Sequence, residues 1–511
     1  MSTRTDTQAD TQTDSNNESL LVLPQSGRDL AREEWTRLCA RDPAELAVVE
    51  PQREITVAEL IAQSRLRAGQ LIAQGCTPGS RVIVARPNVI EFVIDYLAIR
   101  LCGAILVNLP WSAGTSITEL AEVLDASCVI LTEDLVGDNP LFDSLGERRF
   151  REAEGAPEGP SEPVARAVDE VCWLACTSGT TGTPKAAMHT AATLERQTEV
   201  FAQHFELTRD DPILVTSPVG HAVALLFGVR MSLMLSSLMV LIPRWSADVA
   251  ADLVSRYGCV YTVAPTPYLV DVVEHAETNG PDMWSTLRFF PSAGAPVPRT
   301  LVQRGLKALP QTQVWSYFGT SEAGAVTAVP LDDSLDNRLE TDGIAMPGME
   351  TRVVDGELEL RGIQMMKGYW SGDPAGRLQA DGWYMTGDAA SQRPDGYIKM
   401  IGRARDIILR GGENISPLEI ENVLLGHTDV DDVAIIAYAD DRLGSRIAAV
   451  VVSDADVDLQ SLRLRCEEVG LAKAKWPEYL AIIDKIPLSA IGKVRRDELE
   501  TYVQRHIGEH A

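Results

Sequence analysis

The chain has 511 residues, more than a single hydrophobic core usually supports, so we expect at least two domains. Its 46 Lys and Arg residues against 73 Asp and Glu residues give a formal net charge of −27, which argues against nucleic acid or an anionic membrane as a partner. Any site for an anionic substrate must therefore carry its own local positive charge.

The N-terminal segment is polar, low in complexity and without the apolar core of a signal peptide, so we interpret residues 1–28 as a disordered tail. Eight cysteines are scattered along the chain, and the closest two, Cys172 and Cys176, are spaced unlike a zinc or redox pair. Reduced thiols in a cytoplasmic protein explain this usage.

From residue 29 to 290, helical patterns alternate with short β-branched runs. AELIAQSRLRAGQLIAQG predicts a helix that ends at Gly75, and RVIVAR (81–86) predicts the strand after it. The runs EFVIDYLAIRLCG, ILVNLP, TELAEVLDAS and CVILTED repeat this order. The alternation indicates parallel sheets with helices packed on their faces.

Two stretches interrupt this alternation. ERRFREAEGAPEGPSEPVARA (147–167) is charged and rich in Pro and Gly, which predicts an exposed loop. AVALLFGVRMSLMLSSLMVLIP (222–243) is long enough to cross a bilayer, but Arg230 lies in its middle and three serines interrupt it. We interpret it as a buried helix over 222–235 that leads into a buried strand over 238–242, with no membrane span.

The chain changes character toward its C-terminus. Residues 327–400 are rich in turns, and TRVVDGELELRG predicts a small antiparallel subdomain. Beyond it, SPLEIENVLLG predicts a helix with Ser416 as N-cap, Glu419 completing a capping box and Gly426 as the stop. We therefore predict an N-terminal domain over 29–401 and a compact α+β C-terminal domain over 402–511.

The segment CTSGTTGTPKAAMHT (176–190) follows the predicted strand VCWLAC. Glycines let backbone N–H groups face an anion, hydroxyls add donors, and a lysine adds a mobile positive charge. The candidate groups are Thr177, Ser178, Gly179, Thr180, Thr181, Gly182 and Lys185. The spacing of a Walker A loop is absent, so composition alone leaves a phosphate loop and a surface loop both open.

Five further segments carry candidate chemical groups. SAGAPVP (292–298) is small and turn-prone, so another backbone or a flat ring could approach it. YFGTSEAG (317–324) contains Glu322, GWYMTGDAA (382–390) contains Asp388, and GRARDIILRGGENISP (402–417) supplies basic groups and a glycine pair. PLSAIGKVRRDEL (487–499) places Lys493 after a glycine. Singly, each has an ordinary explanation, such as a helix cap, a turn cap or an exposed lysine.

Taken in order, these segments resemble the motifs of the acyl/aryl-adenylate-forming superfamily, which includes acyl-CoA synthetases, luciferase and the adenylation domains of peptide synthetases. SPVGHAVALLFGVR and LAKAKWPEYL are most similar to cyclohexanecarboxylate-type and short-chain acyl-CoA ligases, and next to dihydroxybenzoate-activating ligases. The resemblance implies an α/β fold in which parallel-rich sheets flanked by helices and a small β-barrel-like subdomain precede a small mobile C-terminal domain.

The resemblance also implies an ATP site. The loop 177–185 would cover the β- and γ-phosphates, and Ser321 would contact phosphate oxygens while Glu322 holds Mg²⁺. Asp388, helped by Arg403, would bind the ribose hydroxyls. Lys493 would bridge the substrate carboxylate and the α-phosphate. The residues implied along the adenine are Gly294, Ala295, Pro296 and, in place of a stacking tyrosine, Phe318.

For the second half-reaction, the resemblance implies rotation of the C-terminal domain about a hinge at Arg405. The loop RGGENISP, with Gly411 and Gly412, would then line a thiol tunnel, and His221 would gate it. A structural, partly buried histidine is the alternative for His221. The implied acyl pocket suits an uncharged aliphatic or aromatic acid. Its lining is Val219, His221, Ala222, Phe227, Ala293, Gly294, Gly319 and Thr320.

The implied activity is ATP-dependent formation of an acyl-AMP with release of pyrophosphate, followed by transfer to the thiol of coenzyme A. A carrier-protein phosphopantetheine, an amine or nitrite as acceptor stays open, as do a homodimer and, least favoured, a non-catalytic nucleotide-binding protein. Ala186 after the lysine, Phe318, and Ser236-Ser237 before a strand depart from the usual pattern of relatives. None of them removes a group with a direct chemical role, so we predict an active enzyme.

Overall fold

The fold is that of a computed structural model, which describes residues 29–111, 115–132, 140–152, 155–177, 185–293, 297–373, 376–410, 413–440, 442–487 and 494–510. The predicted tail, 1–28, lies outside the described residues. Two large sheets, a smaller antiparallel sheet and a C-terminal α+β unit account for the strands in these ranges.

The first large sheet has five strands in the order β5-β3-β4-β6-β7, parallel except for the last pair. Its strands are β3 (Arg81–Ala85), β4 (Ile105–Leu109), β5 (Cys128–Leu131), β6 (Val171–Thr177) and β7 (Lys185–Thr190). The helices that accompany it in the chain are α1 (Leu30–Cys39), α2 (Val57–Ala73), α3 (Ile90–Leu101), α4 (Thr115–Val123) and α5 (Ala191–His204). The predicted helix–strand alternation is thereby confirmed, because parallel neighbours need a crossover between them.

The second large sheet has nine strands, and its middle is parallel. In spatial order they are β14 (Ile344–Ala345), β13 (Gly324–Ala328), β12 (Gln313–Thr320), β11 (Phe289–Ser292), β10 (Tyr261–Thr262), β8 (Ile213–Val215), β9 (Met239–Leu241), β1 (Leu46–Glu50) and β2 (Arg53–Thr56). Its longer helices are α8 (Ala247–Tyr257), α9 (Thr266–Asn279) and α10 (Arg299–Ala308). The short helix α11 (Leu335–Glu340) follows β13.

The apolar run 222–243 forms the buried helix and strand that its sequence predicts. The helix consists of α6 (Ala222–Ala224), a π-helical segment over Leu225–Arg230 and α7 (Met231–Leu235), and strand β9 follows it. Arg230 is buried, but Glu34 and Glu195 lie 3.0 and 3.3 Å from its guanidinium nitrogens, which compensates its charge. In the part of the chain that the structure describes, no helix is long and apolar enough to cross a membrane.

A four-stranded antiparallel sheet forms the predicted small subdomain. Its strands, in order, are β15 (Met349–Val354), β16 (Glu357–Gly362), β17 (Tyr384–Gln392) and β18 (Ile398–Arg403). The run TRVVDGELELRG supplies the first hairpin, in which Val354 pairs with Glu357 across the turn.

The C-terminal unit has apolar clusters on both faces of the sheet β21-β22-β23. Its elements are β19 (Ile408–Arg410), β20 (Glu413–Ile415), α12 (Pro417–Leu424), β21 (Asp432–Asp440), β22 (Gly444–Val452), α13 (Leu459–Glu468), β23 (Tyr479–Ile482) and α14 (Arg496–His510). These helices and strands form the predicted α+β unit. The domain boundary between residues 401 and 402 stays a prediction.

The predicted exposed loop over 147–167 is largely irregular and exposed in its described residues. It also packs closely on α2, because a side chain at Gly69 would meet the Pro157 carbonyl oxygen at 1.8 Å, and Val164 donates its N–H to Leu101 O. The capping box predicted at Glu419 was wrong. At α12, Ser416 accepts the N–H of Glu419 as predicted, but the Glu419 carboxylate binds Lys475 Nζ at 2.6 Å instead of completing a capping box.

Candidate active site

Glu322 lies in the tight turn between β12 and β13. The residue is 9% exposed, and its Oε1 accepts a hydrogen bond of 2.6 Å from the Tyr369 hydroxyl. The Tyr384 hydroxyl lies 2.8 Å from that of Tyr369. Burial raises the pKa of both phenols, so both remain protonated at neutral pH and can donate. The Glu322 carboxylate is thus oriented by a chain of two phenol groups.

The strand β7, which begins at Lys185, is held by the segment around Tyr369. Met188 donates its N–H to Gly368 O at 2.8 Å, and Trp370 donates to Ala186 O at 2.9 Å. The Lys185 ammonium lies over the Tyr369 ring, 5.2 Å from its centroid. The tertiary structure therefore brings the predicted phosphate-binding lysine to the tyrosine that holds the predicted Mg²⁺ ligand.

His189 connects β7 to the same turn. Its Nε2 lies 2.8 Å from Ser321 O, and burial lowers its pKa to about 4. The ring is therefore neutral at pH 7, and because a carbonyl only accepts, Nε2 carries the proton. The Trp173 ring stacks on the His189 ring, with centroids 4.8 Å apart. The position of Ser321 is set by this fully buried histidine.

Asp388 and Arg403 face each other across β17 and β18, where they are register partners. Arg403 Nε lies 3.1 Å from Asp388 Oδ1, and Asp388 is 7% exposed. Gly387, before Asp388, has φ of +75°, a conformation that favours glycine. The structure thus brings together the pair predicted to bind the ribose.

The backbone of Val219, a predicted acyl-pocket residue, is hydrogen-bonded by two buried asparagine side chains. Asn88 Oδ1 accepts the Val219 N–H at 2.9 Å, and Asn108 Nδ2 donates to Val219 O at 2.6 Å. A side chain at Gly220 would meet Pro110 N at 2.1 Å, so the two backbone segments are in direct contact there. His221, next in sequence, precedes α6 as its N-cap residue.

The other described pocket candidates lie in α6, in the π-helical segment, in β12 and just after β11. Phe227 is buried against Phe201, with ring centroids 4.1 Å apart. Gly319 approaches Gly324 O so closely that a side chain would lie 2.7 Å from it. Thr320 Oγ1 is buried and has no hydrogen-bond partner among the described residues, so it can serve a ligand. Ala222 is half-buried and Ala293 is buried after β11.

Several predicted site residues lie outside the described residues, and their placement stays a prediction. They are Ser178, Gly179, Thr180, Thr181, Gly182, Gly294, Ala295, Pro296, Gly411, Gly412 and Lys493. Thr177 ends β6 as the register partner of Lys185. Phe318 is half-buried in β12, and the predicted hinge residue Arg405 is largely exposed beside Asp406.

Comparison with known proteins identifies the kind of enzyme that carries these groups. Residues 35–370 match the model of the AMP-binding enzyme family, and residues 419–493 match that of its C-terminal domain. The chain belongs to the AMP-binding enzyme family. The resemblance read from the motifs is thereby confirmed, while the finer resemblance to cyclohexanecarboxylate-type and short-chain ligases stays a prediction.

Relatives of this AMP-binding enzyme include CoA ligases. It is 29% identical to the medium-chain fatty-acid–CoA ligase of Escherichia coli over 93% of this chain and 90% of that enzyme. It is 28% identical to the indoleacetate–CoA ligase of Aromatoleum aromaticum, over 92% and 98% of the two chains. Among solved structures, ATP-bound MatB from Rhodopseudomonas palustris is similar with a TM-score of 0.81 and 25% identity, over 93% of this chain and 99% of that one.

Three residues around Glu322 in this AMP-binding enzyme were missed by the sequence analysis: Tyr369, Tyr384 and His189. Tyr384 and His189 stand inside quoted motifs, GWYMTGDAA and CTSGTTGTPKAAMHT, but neither was singled out. Tyr369 is 47 positions from Glu322 and His189 is 132 positions from Ser321. Contacts between residues so far apart in sequence leave no local spacing signal. The only sequence feature that pointed to Tyr369 was the tyrosine in MKGYW itself.

The donor set at Glu322 fits Mg²⁺. Among the described residues, no group of three or more His, Cys, Asp or Glu side chains could hold a metal by itself. Mg²⁺ usually takes one or two carboxylates together with phosphate oxygens and water. A single buried carboxylate whose Oε1 is oriented by a neutral donor suits that pattern.

Proposed function

We propose that this AMP-binding enzyme is an ATP-dependent, AMP-forming acid–CoA ligase. A carboxylate oxygen attacks the α-phosphorus of ATP, the bond to the β-phosphate oxygen breaks, and pyrophosphate leaves. The CoA thiol then attacks the acyl carbon, forming a thioester and releasing AMP. The observation that carries the proposal is the convergence of the Lys185 strand on the turn that carries Glu322, in a chain whose relatives include CoA ligases.

Electrostatics explains what the site must do. The attacking carboxylate and the phosphates are all anionic, so the site must neutralise like charges and hold them in line. We assign Lys185 to the outer phosphates and Lys493 to the bridge between the carboxylate and the α-phosphate. No general base is needed, because the carboxylic acid is already ionised at pH 7. Mg²⁺ bound at Glu322 would withdraw charge from the phosphate oxygens.

The nucleotide's sugar and base would bind at separate groups. We assign the ribose hydroxyls to Asp388, whose carboxylate is already oriented by Arg403. The half-buried Phe318 ring would stack on the adenine together with residues 294–296. The hydroxyls and backbone of 177–182 would complete the phosphate site.

For thioester formation we assign Arg405 as the hinge and the loop with Gly411 and Gly412 as part of the thiol tunnel. Exposure of the Arg405 side chain supports a hinge, since a residue without packing can change its dihedral angles at low cost. We assign His221 as the gate between pocket and tunnel. The assignment is supported by its position directly after Val219 and Gly220, whose backbone is held by Asn88 and lies close to Pro110.

We propose an uncharged aliphatic or aromatic acid as the substrate. The support is the apolar character of Val219, Ala222, Phe227 and Ala293, beside small residues in β12. We also propose a cytoplasmic location, which the eight free cysteines support.

A product assay tests the function. Purified enzyme is supplied with ATP, Mg²⁺ and a panel of aliphatic and aromatic acids, with and without CoA, and pyrophosphate, AMP and thioester are measured. The expected result is pyrophosphate release with an accepted acid and thioester only when CoA is present. Acyl-AMP that forms but passes only to an amine, nitrite or carrier-protein phosphopantetheine would refute the CoA step. Absence of pyrophosphate with every acid would refute adenylation.

A further inference from the structure

Tyr369 contacts two groups of opposite charge. Its hydroxyl donates to Glu322 Oε1 at 2.6 Å, while its ring face receives the Lys185 ammonium at 5.2 Å from the centroid. An aromatic ring attracts a cation to its face, and a phenol hydroxyl donates to an anion at its edge. One side chain therefore contacts both charged groups, the anion through its hydroxyl and the cation through its ring face.

The lack of an ion pair between Lys185 and Glu322 has a chemical consequence. Among the described residues, neither Lys185 nor Glu322 takes part in a salt bridge. A lysine and a glutamate that share a partly buried site attract each other, and an ion pair forms unless each is held by another contact. If they paired, the ammonium would be lost to phosphate and the carboxylate to Mg²⁺.

The backbone fixes Tyr369 relative to both partners. Met366 donates its N–H to Glu322 O at 2.7 Å, and Lys367 donates to Met188 O at 2.8 Å. Ala187 forms a bridge pair with Tyr369 itself. The segment that carries the tyrosine is thus tied to the turn on one side and to β7 on the other, so the ring cannot leave without breaking these bonds.

We propose that Tyr369 is a positioning residue for Mg²⁺-ATP: its hydroxyl orients Glu322 for the metal, and its ring keeps Lys185 from pairing with Glu322, so that both charges stay available to the nucleotide. The inference rests on the proposed function of the site as an ATP site. A neutral side chain thereby keeps the Lys185 ammonium and the Glu322 carboxylate from pairing until the nucleotide and Mg²⁺ bind.

Equilibrium binding of ATP by titration calorimetry separates the two tasks, because it can be measured with Mg²⁺ and with EDTA. Tyr369→Phe keeps the ring and removes the donor, so the Kd for Mg²⁺-ATP should rise about tenfold, while the Kd for metal-free ATP changes less than about twofold. Tyr369→Leu removes the ring as well, so metal-free ATP should also bind about fivefold more weakly.

Two further variants keep the test decisive. Adding Glu322→Gln to Tyr369→Leu leaves the same lost volume but removes the competing carboxylate, so metal-free binding should recover. Tyr384→Phe, which removes only the hydroxyl next to Tyr369, should weaken Mg²⁺-ATP in the same direction by a smaller factor. Tyr257→Phe is the matched control, since its hydroxyl also donates to a carboxylate, Glu54, at 2.6 Å but outside this site.

Each outcome is decisive. Equal weakening with and without Mg²⁺ in Tyr369→Phe would overturn the proposal, because a merely structural residue affects both. So would Tyr369→Leu binding that does not recover with Glu322→Gln. A wild-type enzyme that binds no ATP would instead refute the proposed function, whereas normal wild-type binding with unchanged variants would refute only the role of Tyr369.

Discussion

The close contact at Gly220 makes a sharp prediction about the acyl pocket. In Gly220→Ala the new Cβ would lie 2.1 Å from Pro110 N, 2.3 Å from Leu109 C and 2.4 Å from Pro110 Cα. All three atoms belong to the backbone at the end of β4, so no side chain can rotate away. The segment that carries Val219 and His221 must therefore move away by roughly 1 Å to reach an ordinary contact distance.

The size of the effect follows from what such a shift breaks. Overpacking of this kind costs about 1–3 kcal/mol. The displacement also stretches the hydrogen bonds of Val219 to Asn88 and Asn108, now 2.9 and 2.6 Å long, each worth about 1 kcal/mol. If the acid binds only when the segment is in place, a cost of at least 2 kcal/mol raises the KM for the acid about thirtyfold.

Steady-state kinetics with an accepted acid checks this prediction. The KM for ATP should change less than about twofold, because the proposed nucleotide groups belong to other segments. Gly305→Ala on α10 is the control, since its Cβ would meet nothing closer than Val314 Cγ2 at 3.4 Å. An unchanged KM for the acid in Gly220→Ala, or an equal rise for ATP, would show that this segment does not form the acyl pocket.

Four other variants test the rest of the enzyme. Asp388→Asn should raise the KM for ATP about tenfold and leave that for the acid unchanged; an unaltered ATP KM would contradict the ribose role. Lys493→Ala should abolish acid-dependent pyrophosphate exchange but largely spare thioester formation from supplied acyl-AMP, and equal loss of both would exclude separate conformations for the two steps. Burial lowers the pKa of His204 to about 4 from an ordinary 6.5, so the unfolded chain takes up a proton first as the pH falls. The free energy of unfolding should therefore drop by roughly 2–3 kcal/mol between pH 6.5 and 4, and His204→Gln should flatten this slope in denaturant titrations; an unchanged slope would refute the shift. Ser236 adopts left-handed φ and ψ of 59° and 30°, so Ser236→Gly should stabilise the protein by about 1 kcal/mol, and a lower Tm would refute the strain.

The departures from the superfamily's pattern gain physical explanations from the fold. Ala186 pairs with Cys176 across β6 and β7, and its methyl group is buried in the core beneath the first sheet. A side chain is therefore accommodated where relatives have glycine. Ser236 occupies the left-handed C-cap position of α7, which explains why glycine is common there.

Much of the architecture could be predicted because its signals are local. Helices and parallel strands follow from periodicity and β-branched runs, as in AELIAQSRLRAGQLIAQG and RVIVAR. Glycine-rich turns and charged groups in fixed order were enough to identify the superfamily and to nominate Glu322, Asp388 and Lys185. The exposed loop at 147–167 could be predicted from its charge and its Pro and Gly content, but its close backbone packing at Gly69 has no local signal.

The sequence by itself determined which residues could carry the chemistry, since reactivity depends on side-chain type and motif order. Only the tertiary structure decided how they are held. Tyr369, His189 and Asn108 each reach a partner far away in sequence, and such contacts depend on how sheets and turns meet in space. The reason is that a buried charge is stable only with a matched partner, and the fold selects which polar side chain arrives beside it.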